Sequence, residues 1–502
     1  MAANDLIVVI LAAGKGTRLK SDHAKVLHRV GGRTLVEHVV RSCQPLGAKI
    51  LIVIGHQGED VRDAVTSLGA STVLQRPQNG TGHAMLIARE AIGAEAKTAI
   101  VLPGDAPLIR TETLQVLLET HRSGRAAATI LTAQLSDLSG YGRVIRNPDG
   151  TVVAIVEEKA ASAAEREIRE VNSSIYCFAL EKLWPCLTQV RPENVHRETY
   201  LTDAIALLNE KGERVLAVEA SDAKEILGCN TRAELADVDR TFRARKAAEL
   251  MASGVTIYLP ETVLIDPDVE IARDSIIEPG VQLLGKTRVS SGVTLQTGAV
   301  VLDSDVDENA MIRQHSVIYR SHIGAGANVG PFAHLREGAE LRPGARVGNF
   351  VEVKKSVLGE GVKAMHLTYL GDATIGRDSN IGAGTITCNY DGVKKNPTRI
   401  GERVFVGSDT ALVAPINVGD GAYIAAGSTV TEDIPADALA IARGRHVNKP
   451  GWAAERRKKM AAASGAQAHA SSAGAANGPI HAKSGARKPS VKAAPRKKSR
   501  RS

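Results

Sequence analysis

Short apolar runs alternate with helical patterns over the first 230 residues of the chain. The apolar runs lie at 6–11, 50–54 and 99–102, and the helical patterns lie at about 34–46, 59–68 and 82–91. A continuous aliphatic, β-branched run is typical of a parallel strand that is buried on both faces. Strand and helix in alternation therefore predict a doubly wound, Rossmann-like α/β domain over residues 1–230.

A single long helix is predicted next. Residues 231–253 form one helical pattern, and Thr231 is a residue type that caps helix starts. We therefore predict a linker helix over residues 231–254.

A six-residue period replaces this pattern from residue 255 onwards. Aliphatic residues recur every six positions from Ile265 to Val301, resume at Val317, and continue with interruptions to Val430. Neither a helix nor an alternating strand has this period, whereas a solenoid with six residues on each flat side does. We predict a parallel β-helix of hexapeptide repeats over residues 255–450. The period slips near 353–363 and 387–400, where we expect loops that leave the coil and carry function.

The positive charge of the chain is concentrated at its carboxyl end. The net charge is +8, but 13 Lys and Arg residues and a single acidic residue lie after residue 450. The remainder is mildly acidic, so the overall basicity is no argument for nucleic-acid binding. The tail, 451–502, is basic and of low complexity, and we predict disorder from about residue 461.

An RNA-binding or anion-binding tail is the alternative interpretation of these cations. No aromatic residues interleave with the cations, so stacking on bases is not indicated. A nucleic acid is therefore not an expected partner.

The cysteines and the N-terminus bear on the compartment. Five cysteines are scattered without paired spacing, which predicts a reduced environment without disulfides or a zinc site. The first apolar run is too short for a signal peptide or a membrane span. We therefore expect a cytoplasmic protein with no membrane span.

A glycine-rich loop directly follows the first predicted strand. It reads LAAGKGTR at residues 11–18. Glycines at the carboxyl end of a parallel strand let backbone N–H groups approach phosphates, and a Lys and an Arg supply charge. The loop matches neither the Rossmann fingerprint nor the Walker loop, so a glycine-rich turn with solvated charges remains the alternative.

Three further features accompany this loop. Lys25 follows shortly after it, residues 80–84 form a second glycine turn before a helical pattern, and Asp105 follows the third apolar run. A carboxylate at a strand end suits Mg²⁺, which prefers one or two carboxylates together with phosphate oxygens. A single Asp at such a position is as often a helix cap.

These motifs resemble those of the sugar-nucleotide pyrophosphorylases, which carry Leu-x-x-Gly-x-Gly-Thr-Arg followed by a Lys. With the hexapeptide half attached, residues 5–450 closely resemble the family of bacterial bifunctional N-acetylglucosamine-1-phosphate uridylyltransferases and glucosamine-1-phosphate acetyltransferases. The resemblance implies a left-handed coil, a homotrimer formed through that coil, UTP and acetyl-CoA as co-substrates, and Mg²⁺. It also implies that the product, UDP-N-acetylglucosamine, serves peptidoglycan and lipopolysaccharide synthesis.

The same resemblance implies roles for individual residues of the first half. Those expected to bind UTP or UDP-N-acetylglucosamine are Leu11, Ala12, Ala13, Gly14, Arg18, Lys25, Gln75, Gly80, Thr81, Gly142, Glu157, Asn172 and Asn230. Asp105 and Asn230 are expected to ligate Mg²⁺. The chain departs from the family at Asn172-Ser173-Ser174, where Asn-Thr-Gly is usual. The departure places a side chain near the expected sugar site.

Polar residues in the repeat half are densest between 334 and 395, although a solenoid core needs only small and aliphatic residues. Acyl transfer to an amine needs a base, and His366 suits that task, a corner histidine bonded to a carbonyl being the alternative. The resemblance implies sugar-phosphate binding by Arg336, Lys354, Tyr369, Asn380 and Lys395. It implies acetyl-CoA binding by Ala383, Asn389, Tyr390, Ser408, Ala426 and Arg443.

Two functions remain open from the sequence. The first is a bifunctional enzyme with one transferase in each half. The second is a sugar-1-phosphate nucleotidyltransferase whose β-helix serves only assembly or regulation. His366, the Asn389-Tyr390 pair and the neighbouring cations favour the first function, since a purely structural coil does not need them.

Overall fold

The computed structural model describes residues 5–190 and 198–473, with side chains up to residue 464. Residues up to Ala442 belong to one compact unit, and residues from Arg443 belong to a second.

The first unit begins with a mixed sheet of nine strands and a separate two-stranded hairpin. The strands are β1 (Leu6–Ala12), β2 (Arg29–Val30), β3 (Arg33–Thr34), β4 (Lys49–Ile54), β5 (Ser71–Leu74), β6 (Thr98–Pro103), β7 (Ala128–Gln134), β8 (Arg143–Arg146), β9 (Val152–Val156), β10 (Glu170–Ala179) and β11 (Val215–Glu219). The order is β11-β7-β10-β6-β1-β4-β5, with β8 and β9 attached beside β10, while β2 and β3 form the hairpin. Strands β6, β1, β4 and β5 run parallel, and β10 is antiparallel to β6 and β7.

Helices cover this sheet. They are α1 (Leu35–Cys43), α2 (Gly58–Thr66), α3 (Thr81–Ala91), α4 (Thr111–Ser123), α5 (Ala163–Arg166), α6 (Leu180–Leu187), α7 (Asp203–Glu210) and α8 (Arg232–Ala252). Alternate residues of β1 belong to different apolar clusters, since Val8 and Ile10 pack in one cluster and Ile7 and Val9 pack in the other. Burial on both faces explains why the strand is a continuous aliphatic run, and the predicted doubly wound domain is confirmed.

Helix α8 (Arg232–Ala252) lies within the segment predicted as a linker helix. The Thr231 hydroxyl accepts a hydrogen bond from the Glu234 N–H at 3.1 Å, which caps the helix start. Further along, the Asp239 carboxylate accepts from the Gly31 N–H in the β2–β3 hairpin, and the Lys246 ammonium donates to the Pro267 carbonyl in the first coil. The helix is therefore bonded to both halves of the chain.

The repeat half is a three-sided coil of short parallel strands. The first side contains Thr256–Ile257, Ile276–Ile277, Thr294–Leu295, Met311–Ile312, Asn328–Val329, Arg346–Asn349, Lys363–His366, Asn380–Ile381, Phe405–Val406, Tyr423–Ile424 and Leu439–Ala440. The second side contains Leu264–Ile265, Gln282–Leu284, Val300–Leu302, Val317–Tyr319, His334–Leu335, Glu352–Lys354, Tyr369–Gly371, Ile386–Cys388, Ala411–Val413 and Thr429–Val430.

The third side contains Glu270–Ile271, Arg288–Val289, Asp305–Val306, His322–Ile323, Glu340–Leu341, Val357–Leu358, Ala373–Ile375, Thr398–Ile400 and Ile416–Val418. Each strand pairs with the strands one coil below and one coil above, so the aliphatic residue of each side stacks on its counterparts in one continuous core. This arrangement confirms the hexapeptide β-helix and fits the left-handed coil that the resemblance implies.

Two details of the predicted repeat register are wrong. Val317 is 39% exposed, and its neighbour Ile318 is the buried residue of that strand. The side between Ile318 and Ile323 has five residues rather than six, so a count of six back from Ile323 reaches Val317 instead of Ile318. A five-residue step also lies between Val353 and Leu358, and it accounts for the slip that suggested a loop at 353–363. The other predicted loop is real, since residues 389–397 leave the coil between two strands.

Among its described residues, 443–473, the second unit contains one helix, α9 (Trp452–Ala473). Its amino-terminal half is exposed and basic, and Arg456 lies over the Trp452 ring at 5.3 Å. The helix differs from the prediction of disorder from residue 461, because the Ala-rich composition there also has high helix propensity. The rest of the predicted disordered tail lies outside the described residues. In the described part of the chain, no helix is long and apolar enough to cross a membrane.

The corrected register can be tested on one strand. Ile318→Ala should lower the free energy of unfolding of the coil by roughly 2–5 kcal/mol, because it empties a fully buried site. Val317→Ala on the same strand should change it by less than about 0.5 kcal/mol, because that side chain is already in contact with solvent. Urea unfolding of both variants measures the difference. Equal losses would contradict the corrected register.

Candidate functional site

A divided cleft lies at the carboxyl ends of β1 and β6. Its two halves have volumes of about 830 and 710 Å³, and both are lined by Pro103, Glu157 and Ser174. Parallel strands place their carboxyl ends at one edge of the sheet, and ligands of open α/β sheets bind in the crevice at that edge. We call the larger half the nucleotide half and the smaller half the sugar half.

The predicted residues of the first site divide between these halves. The nucleotide half is lined by Leu11, Ala13, Gly14, Gln75, Gly80, Thr81 and Glu157. The sugar half is lined by Arg18, Lys25, Asp105, Gly142, Glu157, Asn172 and Asn230. Ala12 is the exception, since it is 2% exposed and packs in the core, so its side chain does not line the cleft. The structure thus brings together residues as far apart in the chain as Lys25 and Asn230, which are separated by 205 positions.

Lys25 links the two residues that were predicted to hold a metal ion. Its ammonium donates to the Asn230 side-chain oxygen at 2.6 Å and forms an ion pair with the Asp105 carboxylate. Both oxygens therefore point to one position, and a single cationic group satisfies both. In the described residues no group of three or more His, Cys, Asp or Glu side chains could hold a metal ion. The oxygen pair at Asp105 and Asn230 is consequently a two-ligand site at most.

Two positions in this cleft require glycine for steric reasons. Gly16 has φ +62°, and a Cβ there would lie 2.5 Å from the Lys25 Cβ. Gly80 has φ +98°, and a Cβ there would lie 2.5 Å from the Thr199 carbonyl oxygen. No residue other than glycine fits either position without displacing a neighbour. A Cβ built on Gly14, by contrast, would have no atom within 4 Å, so there is open space beside this residue in the nucleotide half.

The nucleotide half ends at a buried amide. Gln75 is 3% exposed, and its Nε2 donates to the Gly80 carbonyl at 3.0 Å and contacts His83 Nδ1 at 3.0 Å. These two partners occupy both N–H groups of the amide, so its carbonyl oxygen remains as a hydrogen-bond acceptor. Thr81 opens helix α3, and its hydroxyl accepts from the Leu201 N–H at 3.0 Å.

Two polar groups that line the sugar half have altered acidity. Partial desolvation raises the pKa of Glu157, a hydrogen bond from Thr202 lowers it, and the nearby charge of Asp203 raises it. Partial desolvation also raises the pKa of Tyr141 to about 12, with further contributions from Glu234 and Asp105. Because desolvation disfavours charged forms, both groups are shifted toward their neutral forms.

Four residues of the second predicted set, His366, Ala383, Ser408 and Ala426, lie along one corner of the coil, between its first and second sides. Backbone hydrogen bonds connect successive coils there, from Leu367 N–H to Asn349 O, from Asp409 N–H to Ala383 O, and from Gly427 N–H to Ser408 O. The residues that occupy equivalent corner positions in consecutive coils are Asn349, His366, Ala383, Ser408 and Ala426. Neighbouring strands are about 4.8 Å apart, so this corner row is a continuous line of one residue per coil.

His366 is fixed in this row by a residue that the sequence analysis missed. Its Nδ1 lies 2.8 Å from the Asn349 side-chain oxygen, 17 residues earlier and one coil below. An amide oxygen only accepts hydrogen bonds, so Nδ1 carries the proton and Nε2 keeps a free lone pair. The alternative of a histidine bonded to a backbone carbonyl is therefore wrong. The sequence did contain a signal for this contact, namely a polar residue, Asn349, at the position one coil before His366.

A second cluster lies beside this row on the second side of the coil. Asn389 donates to the Tyr369 hydroxyl at 3.4 Å and to the Asp372 carboxylate at 2.6 Å, and its side-chain oxygen accepts from the Lys395 ammonium at 3.4 Å. Lys395 also lies over the Tyr390 ring at 4.5 Å. The loop that leaves the coil after residue 388 thus folds back onto Tyr369 and brings four predicted residues together.

The basic residues of this side lie in an adjoining concavity of about 480 Å³ that includes Arg336 and Lys354. Arg336 forms an ion pair with Glu352 at 2.7 Å, and this bond raises the pKa of the arginine further above its usual value. Glu352 and Asp372 were not predicted. Each bonds to a residue one coil away, and the sequence alone does not show which residues lie one coil apart. Asn380 does not join this cluster, since it lies on the first side of the coil. Arg443 belongs to the second unit.

Comparisons with known proteins find matches to both halves of the chain. A family model described as a MobA-like NTP transferase domain matches residues 8–182, and one described as a hexapeptide repeat of succinyl-transferase matches residues 397–432. The chain is 48% identical to a bifunctional protein GlmU of Koribacter versatilis, over 90% of this chain and 97% of that protein. It is 46% identical to proteins of the same name from Pelobacter propionicus, over 91% and 99%, and from Streptococcus agalactiae, over 89% and 97%.

The steric role of Gly16 gives a testable outcome. Gly16→Ala should destabilise the first domain by about 1 kcal/mol for the left-handed backbone and by roughly a further 1–3 kcal/mol for the contact with Lys25. Because Lys25 would move, binding of a nucleoside triphosphate should also weaken. Gly47→Ala is the matched control, since φ is +66° there and nothing lies within 4 Å. Urea unfolding and calorimetric titration with UTP measure both effects. Equal losses of stability with unchanged UTP binding would refute the steric role.

Proposed function

The chain belongs to the family of the bifunctional GlmU proteins, and from that premise we propose that each half carries one step of UDP-N-acetylglucosamine synthesis. The repeat half transfers the acetyl group of acetyl-CoA to the amine of glucosamine-1-phosphate. The first half then transfers the uridylyl group of UTP to N-acetylglucosamine-1-phosphate and releases pyrophosphate. The observation that carries this proposal is His366, whose Nε2 is left free as a base by the bond from Nδ1 to Asn349.

Uridylyl transfer takes place where the two halves of the cleft meet. The phosphate oxygen of the sugar phosphate attacks the α-phosphorus of UTP, and the bond to the β-phosphate breaks as pyrophosphate leaves. The backbone of the loop at 11–18 and the cations Arg18 and Lys25 bind the phosphates. Since the charge on the phosphate oxygens is spread in the transition state, catalysis comes from positioning and from these fixed cations.

The recognition of the two substrates follows the division of the cleft. The free carbonyl oxygen of Gln75 accepts a hydrogen bond from the uracil imide, and Gly80 and Thr81 border the base. Gly142, Glu157 and Asn172 bind the sugar in the other half. The order of the two halves places the α-phosphate at their shared wall.

Mg²⁺ fits the oxygen pair at Asp105 and Asn230. Both oxygens already point to the position of one cation, the Lys25 ammonium, and a carboxylate and an amide oxygen are ligands of the kind that Mg²⁺ takes beside phosphate oxygens. When bound, the ion supplies positive charge to the triphosphate. Lys25 then leaves Asp105 and Asn230 and is free to donate to the phosphates.

Acetyl transfer takes place at the corner row of the coil. His366 Nε2 takes a proton from the amine of glucosamine-1-phosphate, the amine nitrogen attacks the thioester carbonyl, and coenzyme A leaves as its thiol after it receives a proton. Arg336 and Lys354 bind the sugar phosphate, with Tyr369, Asn380 and Lys395 around the same substrate. Asn389, Tyr390 and Ser408 lie by the acetyl group, and coenzyme A extends along Ala383 and Ala426.

A homotrimer through the coil accounts for two observations. The residues proposed for the sugar phosphate are divided between two sides of one chain, because Asn380 lies on the first side and Arg336 and Lys354 lie on the second. An exposed ladder adjoins the same corner, in which His315, Phe332 and Phe350 stack at 5.3 and 5.6 Å. Exposed stacked aromatic residues are typical of surfaces that a partner covers.

The product and the free cysteines suggest the setting of the reaction. We place the enzyme in the cytoplasm, where its substrates are made and where all five cysteines remain free thiols. UDP-N-acetylglucosamine from this reaction supplies peptidoglycan and lipopolysaccharide synthesis.

A coupled assay separates the two activities. With glucosamine-1-phosphate, acetyl-CoA, UTP and Mg²⁺, the protein should release free thiol first and pyrophosphate afterwards. His366→Ala should lower thiol release by roughly 10²–10⁴-fold, because it removes the base, and should leave pyrophosphate release from ready-made N-acetylglucosamine-1-phosphate unchanged. His322→Ala is the matched control, since His322 lies on the third side and bonds Asp307 at 2.9 Å.

Other outcomes decide against this proposal. If the wild-type protein releases pyrophosphate only from ready-made N-acetylglucosamine-1-phosphate and never releases thiol, the coil serves assembly and the protein is a single-activity nucleotidyltransferase. If His366→Ala loses both activities, the role given to His366 is wrong.

The trimer can be tested with charge placed in the aromatic ladder. Phe332→Glu combined with Phe350→Glu should convert trimers to monomers, because the contact would bury carboxylates without partners, and acetyl transfer should fall with it. Thr374→Glu adds a carboxylate on the third side and should leave the trimer intact. Sedimentation velocity measures the state of each variant. A wild-type monomer, or a variant that remains a trimer, would contradict this arrangement.

A further inference from the structure

Two connecting segments carry the two oxygens proposed for Mg²⁺. Asp105 lies in the segment 104–110 between β6 and α4, and Asn230 lies near the end of the segment 220–231 between β11 and α8. A Cβ on Gly228 would lie 3.0 Å from the Asp105 Oδ2, so the two segments are in close contact. Because neither segment belongs to the strand ladder of the sheet, the separation of the two oxygens depends on what holds the segments together.

Arg245 of helix α8 joins these segments with one guanidinium group. Its Nη1 donates to the Leu108 carbonyl at 2.8 Å, and its Nη2 donates to the Asp222 carboxylate at 2.7 Å. The same carboxylate accepts from the Lys224 N–H at 3.0 Å and caps the short turn at Ala223–Ile226. A planar guanidinium presents several donors in a fixed geometry, so it can bind two acceptors at a defined separation.

Glu225 forms a second link between the same segments. Its side chain is fully buried, its Oε2 accepts from the Arg110 N–H at 3.1 Å, and its Oε1 lies 3.8 Å from the Arg110 Nε. A buried carboxylate without a partner would be strongly destabilising, so this link favours one arrangement of the segments. Arg245 and Glu225 therefore connect the segment of Asp105 to that of Asn230 at two points.

Helix α8 is the common support of these contacts. In its first turn the Glu234 carboxylate accepts from the Asn230 N–H at 2.7 Å, and Arg245 lies 11 residues further along the helix. A helix rises 1.5 Å per residue, so Glu234 and Arg245 hold Asn230 and Asp222 from points about 16 Å apart. One apolar cluster contains residues of the helix and of both segments, among them Leu108, Cys229 and Val238.

We propose that Arg245 is a positioning residue of the nucleotidyl-transfer site, which sets the separation of the Asp105 and Asn230 oxygens by binding both of their segments. Arg245 lines neither half of the cleft, so it acts on the nucleotide only through these segments. The inference rests on the proposed magnesium site and adds to it a determinant of affinity that lies outside the cleft.

Binding of UTP with and without metal tests this role. Arg245→Gln replaces three nitrogen donors by one, so it cannot hold both segments. It should weaken binding of UTP in the presence of Mg²⁺ about tenfold, as expected for a residue that orients metal ligands, and should change binding of UTP in EDTA by less than about twofold. Lys246→Gln is the matched control, since the neighbouring Lys246 donates to the Pro267 carbonyl of the first coil at 3.2 Å, and both affinities should be unchanged. Calorimetric titration without the acceptor sugar measures all four affinities.

A second variant tests the same link from its other side. Asp222→Asn keeps an oxygen for the Lys224 N–H and removes the charge that Arg245 binds, at a side chain that is 37% exposed. It should weaken the binding of UTP with Mg²⁺ in the same direction and add little on the Arg245→Gln background, because both changes break one link.

Three results would overturn the inference. An unchanged affinity for UTP with Mg²⁺ in Arg245→Gln, or an equal loss with Mg²⁺ and in EDTA, would overturn the positioning role alone. If the wild-type protein itself binds UTP no more tightly with Mg²⁺ than in EDTA, the proposed magnesium site fails and the inference fails with it.

Discussion

In-register pairing of parallel strands is the constraint on which both sites of this protein depend. In the first half, β1 pairs in register with β4 and with β6, so that Ala12, Ile54 and Pro103 end side by side. In the second half, the same kind of pairing repeats from coil to coil and aligns Asn349 with His366. Chemistry is therefore found where strands end, at an edge of the sheet in one half and along a corner of the coil in the other.

Much of this architecture is encoded locally and could be predicted. A strand buried on both faces must be aliphatic throughout, so the run at 6–11 identified β1 without knowledge of its partners. The cap at Thr231 is a contact across three residues, and the inward residues of the coil repeat at a nearly constant interval. The loop at 11–18 was predictable for the same reason, because residues that are consecutive in the sequence line the cleft together.

The parts that were missed depend on distant partners. The five-residue side between Ile318 and Ile323 moved the inward position from Val317 to Ile318, and no local feature announces a side that is one residue short. The partner of His366 is set by the number of residues in one coil, so Asn349 could be recognised only after the register was known. Lys25 and Asn230 meet across 205 residues, and the sequence predicted a metal site without predicting that a lysine ammonium would lie between its two oxygens.

The corner of the coil shows how one backbone conformation serves two purposes. Phe332, Phe350 and Leu367 all have positive φ at this corner, and their large side chains are about half exposed. The corresponding residues of later coils include Gly384 and Gly427, which have positive φ and no side chain. His366 lies where the large residues give way to the small ones. Since the backbone turn is the same throughout, the residue type alone divides the corner into a part suited to contact between chains and a part with room for an extended ligand. A coil that had been selected only for assembly would have no reason to change residue size at the coil that carries His366, whose Nδ1 is bonded to Asn349.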